Sequence, residues 1–331
     1  MLEYGDIALH AKDLPHSIQD VLNDLPEFAR KIPGQLRHIF EQVIATNTAG
    51  DEPNAPPIQI INTVDEVECP PYEFYYTNRM WYGETVSKPD VSKLKGCDCY
   101  PTCKANPKGC SCLKKQEKFY DSGMSGFAYN KHRRLQYGEY PVFECNSKCN
   151  CCHDCPNRVV QHGREHAINI KMTEHKGWGV FAAVRIPKNT FIGIYAGEFL
   201  TDTEGERRGK VYNSGSRTYL FDIDFWHLRQ DNEDWTTKYC VDAWHAGNNH
   251  SCEPNCFIVP VYINEPDLEK PLLAIFTNRD VPAHQELCFS YFGPPDQDDQ
   301  GSEPDVDSLR QGELFTRCQC GTKSCTGRMW R

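Results

Sequence analysis

The chain contains no apolar run approaching the roughly eighteen residues that cross a bilayer as a helix, so no membrane span is expected. Met1 to Lys12 has neither a basic flank nor an apolar stretch, and a secretory signal is therefore not expected. Basic charge is in deficit. With 36 Lys and Arg against 46 Asp and Glu, the formal net charge is -10, which argues against a broad phosphate-contacting surface and against sequence-specific binding of nucleic acid. An acidic surface favours a basic partner, and it serves equally well as plain solubility. No internal repeat is evident. What the chain does have is cysteine, 18 residues of it. Without a secretory signal the expected compartment is reducing, where disulfides are uncommon and clustered thiols more often hold metal. A 39% hydrophobic and 11% aromatic content is enough to fill a sizeable core, and the length fits about two domains.

Thirteen of the cysteines fall into three clusters and one isolated partner. The first cluster is Cys97, Cys99, Cys103, Cys110 and Cys112; the second is Cys145, Cys149, Cys151 and Cys155; the third is Cys318, Cys320 and Cys325. Two cysteines one residue apart seldom reach disulfide geometry with each other, whereas such spacings gather thiolates around an ion. Nine thiolates in the first two groups fit a shared trinuclear zinc site better than separate sites. Three tetrahedral ions have twelve coordination positions, which nine sulfurs fill if three of them bridge. Every position is then taken, and the site is structural. Cys152 is left as a surplus thiol and His153 as a surface residue. The third cluster supplies three ligands for one further zinc and needs a fourth, for which Cys252 is the first candidate and Cys256 the second. Cys240, Cys256 and Cys288 sit in strand-like runs and otherwise read as buried apolar filler.

Organisation changes along the chain. Residues 1–57 read as two helical segments and a connector, with Leu36, Ile39, Phe40, Val43 and Ile44 forming one apolar stripe that either packs on the main body or docks a partner. Residues 58–165 hold the first two cysteine clusters and few aliphatic runs, so metal binding is expected to supply part of their folding free energy. From residue 166 to 293 the chain reads as mostly β, in several small sheets. Strand-like runs are Ile168 to Met172, Gly179 to Ala183, Phe191 to Tyr195, Thr218 to Asp222, Tyr239 to Asp242, Phe257 to Ile263, Leu272 to Thr277 and Leu287 to Tyr291. Residues 294–313 form an acidic linker, and 314–331 carry the last cysteines.

These motifs, in this order, resemble the SET-domain lysine methyltransferases acting on lysine 9 of histone H3, and most closely their short fungal members without a chromodomain. The likeness rests on Cys97-Asp98-Cys99, Phe127-Ala128-Tyr129-Asn130, Glu144-Cys145-Asn146, Cys155-Pro156-Asn157-Arg158-Val159-Val160, Lys176-Gly177-Trp178-Gly179-Val180, Tyr195-Ala196-Gly197-Glu198, Asn249-His250-Ser251-Cys252 and Cys318-Gln319-Cys320. It implies a SET fold with a zinc-cluster pre-SET domain at 58–165, a SET domain at 166–293 and a zinc-binding post-SET tail. It implies methyl transfer from S-adenosylmethionine to a lysine amine, on the histone H3 tail, in the nucleus and on the chromosome, within heterochromatin. Recruitment would fall to other chromatin-associated proteins.

By the same resemblance, Lys176, Gly177, Trp178, Gly179, Tyr219, Asn249, His250 and Trp330 would hold the cofactor. Tyr195 and Tyr291 would aim hydroxyls at the target amine, and Phe221 and Phe289 would line the lysine channel. Phenylalanine at 289, rather than tyrosine, implies trimethylation, since no hydroxyl holds a water where further methyls must rotate. Asp224 matches an acidic position used on the substrate, and is equally a solvated strand-end carboxylate. The chain departs from the family where about five residues, ending in Arg-Phe-hydrophobic, usually precede Asn-His-Ser-Cys; here Gly247-Asn248 runs straight into Asn249. Ser290 stands where aspartate is usual, and Ala283-His284 where Lys-Gly is usual. Two further readings follow: a catalytically silent module gripping a histone tail, or a methyltransferase for a non-histone lysine.

Overall fold

A computed structural model describes residues 21, 24–71, 74, 76–214, 219–229, 236–243, 249–291, 318–325 and 327. Regular structure is sparse before residue 165. Two helices open the described chain, α1 (Glu27–Arg30) and α2 (Gln35–Thr48), followed by short strands β1 (Gln59–Ile61) and β2 (Trp81–Tyr82), helix α3 (Ser111–Glu117) and strand β3 (Val142–Phe143). The stripe on α2 packs on the main body: Ile39, Phe40 and Ile44 are buried in the same core as Ile60, Ile170 and Ile275, with Leu36 and Val43 against it. That decides between the two readings of this helix. The first expected helical segment falls mostly on residues outside those described.

Eight more strands follow: β4 (Ile168–Thr173), β5 (Gly177–Ala182), β6 (Phe191–Ile194), β7 (Glu198–Thr201), β8 (Leu220–Asp222), β9 (Tyr239–Asp242), β10 (Cys256–Tyr262) and β11 (Leu272–Thr277). They form three small sheets, ordered β1-β4-β5, β3-β10-β11-β6 and β2-β7-β9-β8. The expected mostly β architecture of several small sheets is what is found. Each sheet also takes in one short strand from before residue 165, and β1, β2 and β3 all pair in parallel, with β4, β7 and β10 respectively. The cysteine-rich half is thus sewn to the β half through backbone hydrogen bonds. No helix among the described residues is long and apolar enough to cross a membrane.

Two expectations need correction. Leu287 to Tyr291 is not a continuous strand, because its backbone partners are divided. Leu287 N–H donates to Val180 O, while the carbonyls of Cys288 and Phe289 accept from Asn255 N–H and Ser251 N–H. Only an isolated bridge, His250 to Phe289, marks it as extended. Conversely, Glu198–Thr201 is a strand that the motif reading passed over; it pairs antiparallel with β9 from Glu198↔Asp242 to Thr201↔Tyr239. Of the run Thr218 to Asp222, Leu220–Asp222 is strand and Thr218 lies outside the described residues.

Candidate metal centres and transfer site

The nine sulfurs of the first two clusters sit in one buried group with Leu113 and the flanking Phe127. Glu144 explains how two distant segments come together. Its carboxylate accepts from Tyr129 Oη–H at 2.7 Å, Val159 N–H at 2.8 Å, Val160 N–H at 2.7 Å and Gln161 Nε2–H at 2.7 Å. This clamps the Asn157–Val160 segment onto the stretch after β3 that bears Cys145. Arg158 then donates through Nη2 to Cys151 Sγ at 3.5 Å and through Nη1 to the Cys145 carbonyl at 3.1 Å, placing a cation beside the thiol cluster.

Three overlapping quartets of sulfur atoms lie within 4.8 Å of one another: Cys97, Cys99, Cys103 and Cys110; Cys97, Cys145, Cys149 and Cys151; and Cys103, Cys145, Cys151 and Cys155. Cys112 Sγ lies 3.4 Å from Cys149 Sγ. Cys97, Cys103, Cys145 and Cys151 each fall in two quartets; with Cys112 beside Cys149 to take the place of Cys151 in the second, Cys97, Cys103 and Cys145 remain as the shared ligands, and Cys103 Sγ lies 3.5 Å from Cys97 Sγ and 3.3 Å from Cys145 Sγ. A tetrahedral zinc with Zn–S of about 2.3 Å separates its sulfurs by roughly 3.8 Å. The donor set and its spacing therefore fit zinc. Cys152 and His153 stand outside the quartets.

At the other end of the chain, Cys252, Cys318, Cys320 and Cys325 form a fourth quartet. Cys252 Sγ is 3.8 Å from Cys318 Sγ and 4.0 Å from Cys325 Sγ. Cys256, the second candidate ligand, is buried elsewhere, as are Cys240 and Cys288. Glu253 ties the same segments together by accepting from Ser324 N–H at 3.0 Å and Oγ–H at 2.6 Å.

The glycine turn at Lys176 to Gly179 and the Asn249-His250 element come together in space. Gly177 turns the β4–β5 hairpin with φ 70°, and Thr173 Oγ1 closes it by accepting from Lys176 N–H at 2.9 Å. Gly179 has no room for a side chain: a Cβ there would lie 2.6 Å from Glu286 Oε1 and 2.9 Å from Asn249 Nδ2. Asn249 Nδ2 donates to the Trp178 carbonyl at 3.2 Å and to Glu286 Oε1 at 2.9 Å, while Lys176 pairs with Glu286 Oε2. Glu286, absent from the sequence reading, thus ties two of the expected cofactor-side residues, Lys176 and Asn249, together, and Asn249 in turn reaches Trp178. Its signal was the unpaired charge of Lys176 in a glycine turn, which needs a counter-ion.

Next to this face lies an aromatic corner. Tyr195 is buried, its hydroxyl donating to the Tyr219 carbonyl at 3.2 Å. Its ring meets Phe221 at 5.8 Å and Phe289 at 5.6 Å, and Phe289 meets Tyr291 at 5.2 Å. Burial, with Tyr291 and Asp242 nearby, holds the Tyr195 phenol well above its ordinary range, and burial raises that of Tyr291 as well. Both hydroxyls are neutral donors at physiological pH. Asp224 is set apart: its carboxylate is 56% exposed and pairs with Arg229 at 3.3 Å. Trp330, and residues 244–248 where the chain departs from the family pattern, lie outside the described residues.

A second cluster missed in the sequence is linked to the corner through Asp242, whose charge acts on Tyr195. Arg208 Nη1 donates to Glu198 Oε2 and Asp242 Oδ2, both at 2.8 Å, and Tyr212 Oη–H donates to Asp242 Oδ2 at 2.6 Å. All four residues are buried. Glu204, Arg208 and Tyr212 follow one another at four-residue helical spacing in helix α4 (Asp202–Ser214), a pattern that could have been matched to Glu198.

Comparisons with known proteins agree with this geometry. A Pre-SET motif model matches residues 50–158 and a SET domain model matches residues 177–292. "Histone-lysine N-methyltransferase, H3 lysine-9 specific" of Cryptococcus neoformans is 35% identical over 91% of this chain and 20% of its own length. The solved Neurospora SET domain protein DIM-5, a histone lysine methyltransferase, is 29% identical, with a TM-score of 0.63 over 74% of this chain and 99% of that one. KRYPTONITE, solved with mCHH DNA, an H3(1-15) peptide and SAH, is 25% identical, with a TM-score of 0.64 over 86% of this chain and 53% of that one. The chain spans from 20% to 64% of the length of the curated relatives it matches. With the pre-SET motif, the SET domain and the sulfur quartets in one chain, it belongs to the pre-SET-containing SET-domain family typified by the histone H3 lysine-9 methyltransferases.

Proposed function

We propose that this chain is an S-adenosylmethionine-dependent protein-lysine N-methyltransferase acting on lysine 9 of histone H3, to the trimethyl state, in the nucleus and in heterochromatin formation. The observation that carries the reading is the meeting of a glycine-built turn, Lys176 to Gly179, with an aromatic corner in which Tyr195 and Phe289 are buried and Phe221 and Tyr291 partly buried, on a scaffold of thiol quartets. Relatives named for this activity, and a similar structure holding SAH and an H3 peptide, support it. Bound S-adenosylmethionine supplies an electrophilic methyl group.

The chain's own residues do the positioning. Lys176, Gly177, Trp178, Gly179, Tyr219, Asn249, His250 and Trp330 hold the cofactor. Phe221, Phe289 and Tyr195 desolvate the substrate lysine, whose amine is the nucleophile only when neutral; an apolar channel lowers its pKa from about 10.4 and favours that form. Among the described residues no strong base stands in the corner, and none is required. The neutral hydroxyls of Tyr195 and Tyr291 orient the amine lone pair toward the methyl carbon, so rate comes from alignment and fixed dipoles. Asp224 engages the basic histone tail once it releases Arg229, in keeping with the net charge of -10.

The nine thiols of the first two clusters would hold three zinc ions, with Cys97, Cys103 and Cys145 as the shared ligands, and Cys252, Cys318, Cys320 and Cys325 would hold one more, which would keep the pre-SET region, the SET domain and the post-SET tail in register. Chromatin proteins outside this chain recruit it. Incubating the purified protein with methyl-labelled S-adenosylmethionine and H3 tail peptides tests the reading. Label is expected in the native peptide and absent when arginine replaces lysine 9. Cofactor binding without transfer to any peptide would mean a silent module; label in both peptides would mean another lysine.

A further inference from the structure

The net charge of -10 is not evenly spread. Lys131-His132-Arg133-Arg134 is the one place in the chain where four basic side chains follow one another, and the fold sets it in a tight turn. Tyr129 and Leu135, both buried, form a bridge at its base. Between them Asn130 Oδ1 accepts from His132 N–H at 2.8 Å and Arg134 N–H at 3.2 Å, and Arg133 takes a left-handed φ of 60°. A second turn is fastened to the first: Leu135 N–H donates to the Asn189 carbonyl and Asn189 Nδ2–H to the Leu135 carbonyl, both at 2.9 Å. This second turn joins β5 to β6 and carries Arg185 and Lys188, both exposed. It lies beyond the opposite end of β5 from Gly177, roughly 17 Å along the strand, so the two turns make a surface apart from the transfer site.

The five cations of the two turns, Lys131, Arg133, Arg134, Arg185 and Lys188, meet two carboxylates among the described residues: Glu165 pairs with Arg133 at 2.7 Å, and Asp280 pairs with Arg185. Asp280 also accepts from Lys188 N–H at 2.8 Å. That bond first, and then the charges of Arg185 and Arg134, hold its carboxyl below the ordinary range, so Arg134 lies within electrostatic reach of the second turn. Five positive charges less two negative leave +3 on this surface, and Lys131, Arg134 and Lys188 have no ion-pair partner among the described residues. We propose that these two turns form a docking surface for the phosphate backbone of duplex DNA. Cations held on short, cross-linked turns suit closely spaced phosphates and read charge rather than sequence. A duplex suits them better than a single strand, whose bases stack on aromatic rings: the one exposed large hydrophobic side chain of these turns is Val184, and no aromatic joins it. The inference goes beyond methyl transfer and does not rest on it. For an enzyme whose substrate tail leaves DNA-wrapped histones, it adds a second, weak hold beside the tail itself.

The test titrates the full chain into a short fluorescein-labelled DNA duplex of mixed sequence and reads anisotropy across salt. Three unpaired cations predict a slope of about -2.7 for the logarithm of the association constant against the logarithm of salt, roughly a 40-fold loss of affinity between about 50 and 200 mM. Replacing them together, as Lys131→Gln, Arg134→Gln and Lys188→Gln, should abolish that slope and weaken binding at least about tenfold at the lower salt. Lys131→Gln with Lys188→Gln changes only exposed side chains and should leave a slope of about -0.9, which keeps the test open if the triple variant does not fold. Lys31→Gln, Lys93→Gln and Lys238→Gln remove the same total charge from exposed side chains in other segments, and should bind as the native chain does. Equal weakening by that control set would assign the binding to bulk charge and overturn the proposal. A native slope near zero overturns it too, as does tighter binding of single-stranded RNA than of the duplex. A chain inactive on every peptide would leave the DNA result standing, whereas methylation of an H3 peptide by a chain that ignores duplex DNA would keep the functional reading and sink this one.

Discussion

The ring of Phe289 meets the ring of Tyr195 edge to face, with centroids 5.6 Å apart and planes at 81°. A hydroxyl added at the Phe289 para position would enter the same corner as the Tyr195 and Tyr291 hydroxyls and hold a water there. Phe289→Tyr should therefore shift the product from trimethyl toward mono- and dimethyl lysine. Mass spectrometry of the peptide product reads this directly; unchanged trimethylation counts against the assigned role of Phe289.

Arg208 is the only cation bonded to both Glu198 and Asp242 among the described residues. Glu198 follows Tyr195 by three residues, and Glu198↔Asp242 begins the β7–β9 ladder. Replacing Arg208 by Met removes the guanidinium that pairs with both buried carboxylates, at a cost of about 3–5 kcal/mol. Urea unfolding monitored by tryptophan fluorescence should show that loss. Arg208→Lys, which keeps the charge, should lose less. Equal midpoints for Arg208→Met and the native chain would show the network to be idle.

His227 makes the pH dependence of stability predictable. It is 4% exposed, and burial depresses its pKa to about 4 from the ordinary 6.5. Tyr262 Oη–H donates to Leu268 O, so the Tyr262 oxygen accepts from His227 Nε2–H at 2.8 Å. Nδ1 has no hydrogen-bond partner among the described residues, and protonating it there would bury an unpaired donor. Between the two pKa values the unfolded chain binds a proton that the folded chain refuses. Stability contributed by neutral His227 is thus complete above about pH 6.5 and declines as pH falls toward 4, at up to about 1.4 kcal/mol per pH unit. The decline should be shallower by that amount in zinc-saturated His227→Gln; parallel curves would contradict it.

Metal content separates bridging from terminal thiolates. Elemental analysis should find about four zinc per chain, and two or fewer would contradict the trinuclear assignment. Cys97 belongs to two sulfur quartets and Cys99 to one. Cys97→Ser should accordingly lose more zinc than Cys99→Ser.

Spacing pointed to nine thiols acting as one group, and the need for a fourth ligand put Cys252, 66 residues from Cys318, first and Cys256 second as partner of the last three, because ligand chemistry leaves few ways to fill a tetrahedron. The small-sheet architecture was legible for a similar reason: strands such as Ile168–Thr173 and Leu272–Thr277 announce themselves by composition. What escaped depends on contacts between distant segments. β1, β2 and β3 are two or three residues long and form only against β4, β7 and β10. Glu286 and Arg208 gain their roles from carboxylates and amines that meet in space. The segment Leu287 to Tyr291 has strand composition but divided partners, so propensity named an element that pairing did not make.

The most direct measurement locates the methyl groups. The purified chain, loaded with zinc and S-adenosylmethionine, is incubated with a histone H3 tail peptide, and the product is sequenced by tandem mass spectrometry. The account predicts that methylation falls on lysine 9 and accumulates as the trimethyl form. An unmodified peptide, or methyl groups on other lysines with lysine 9 untouched, would contradict it.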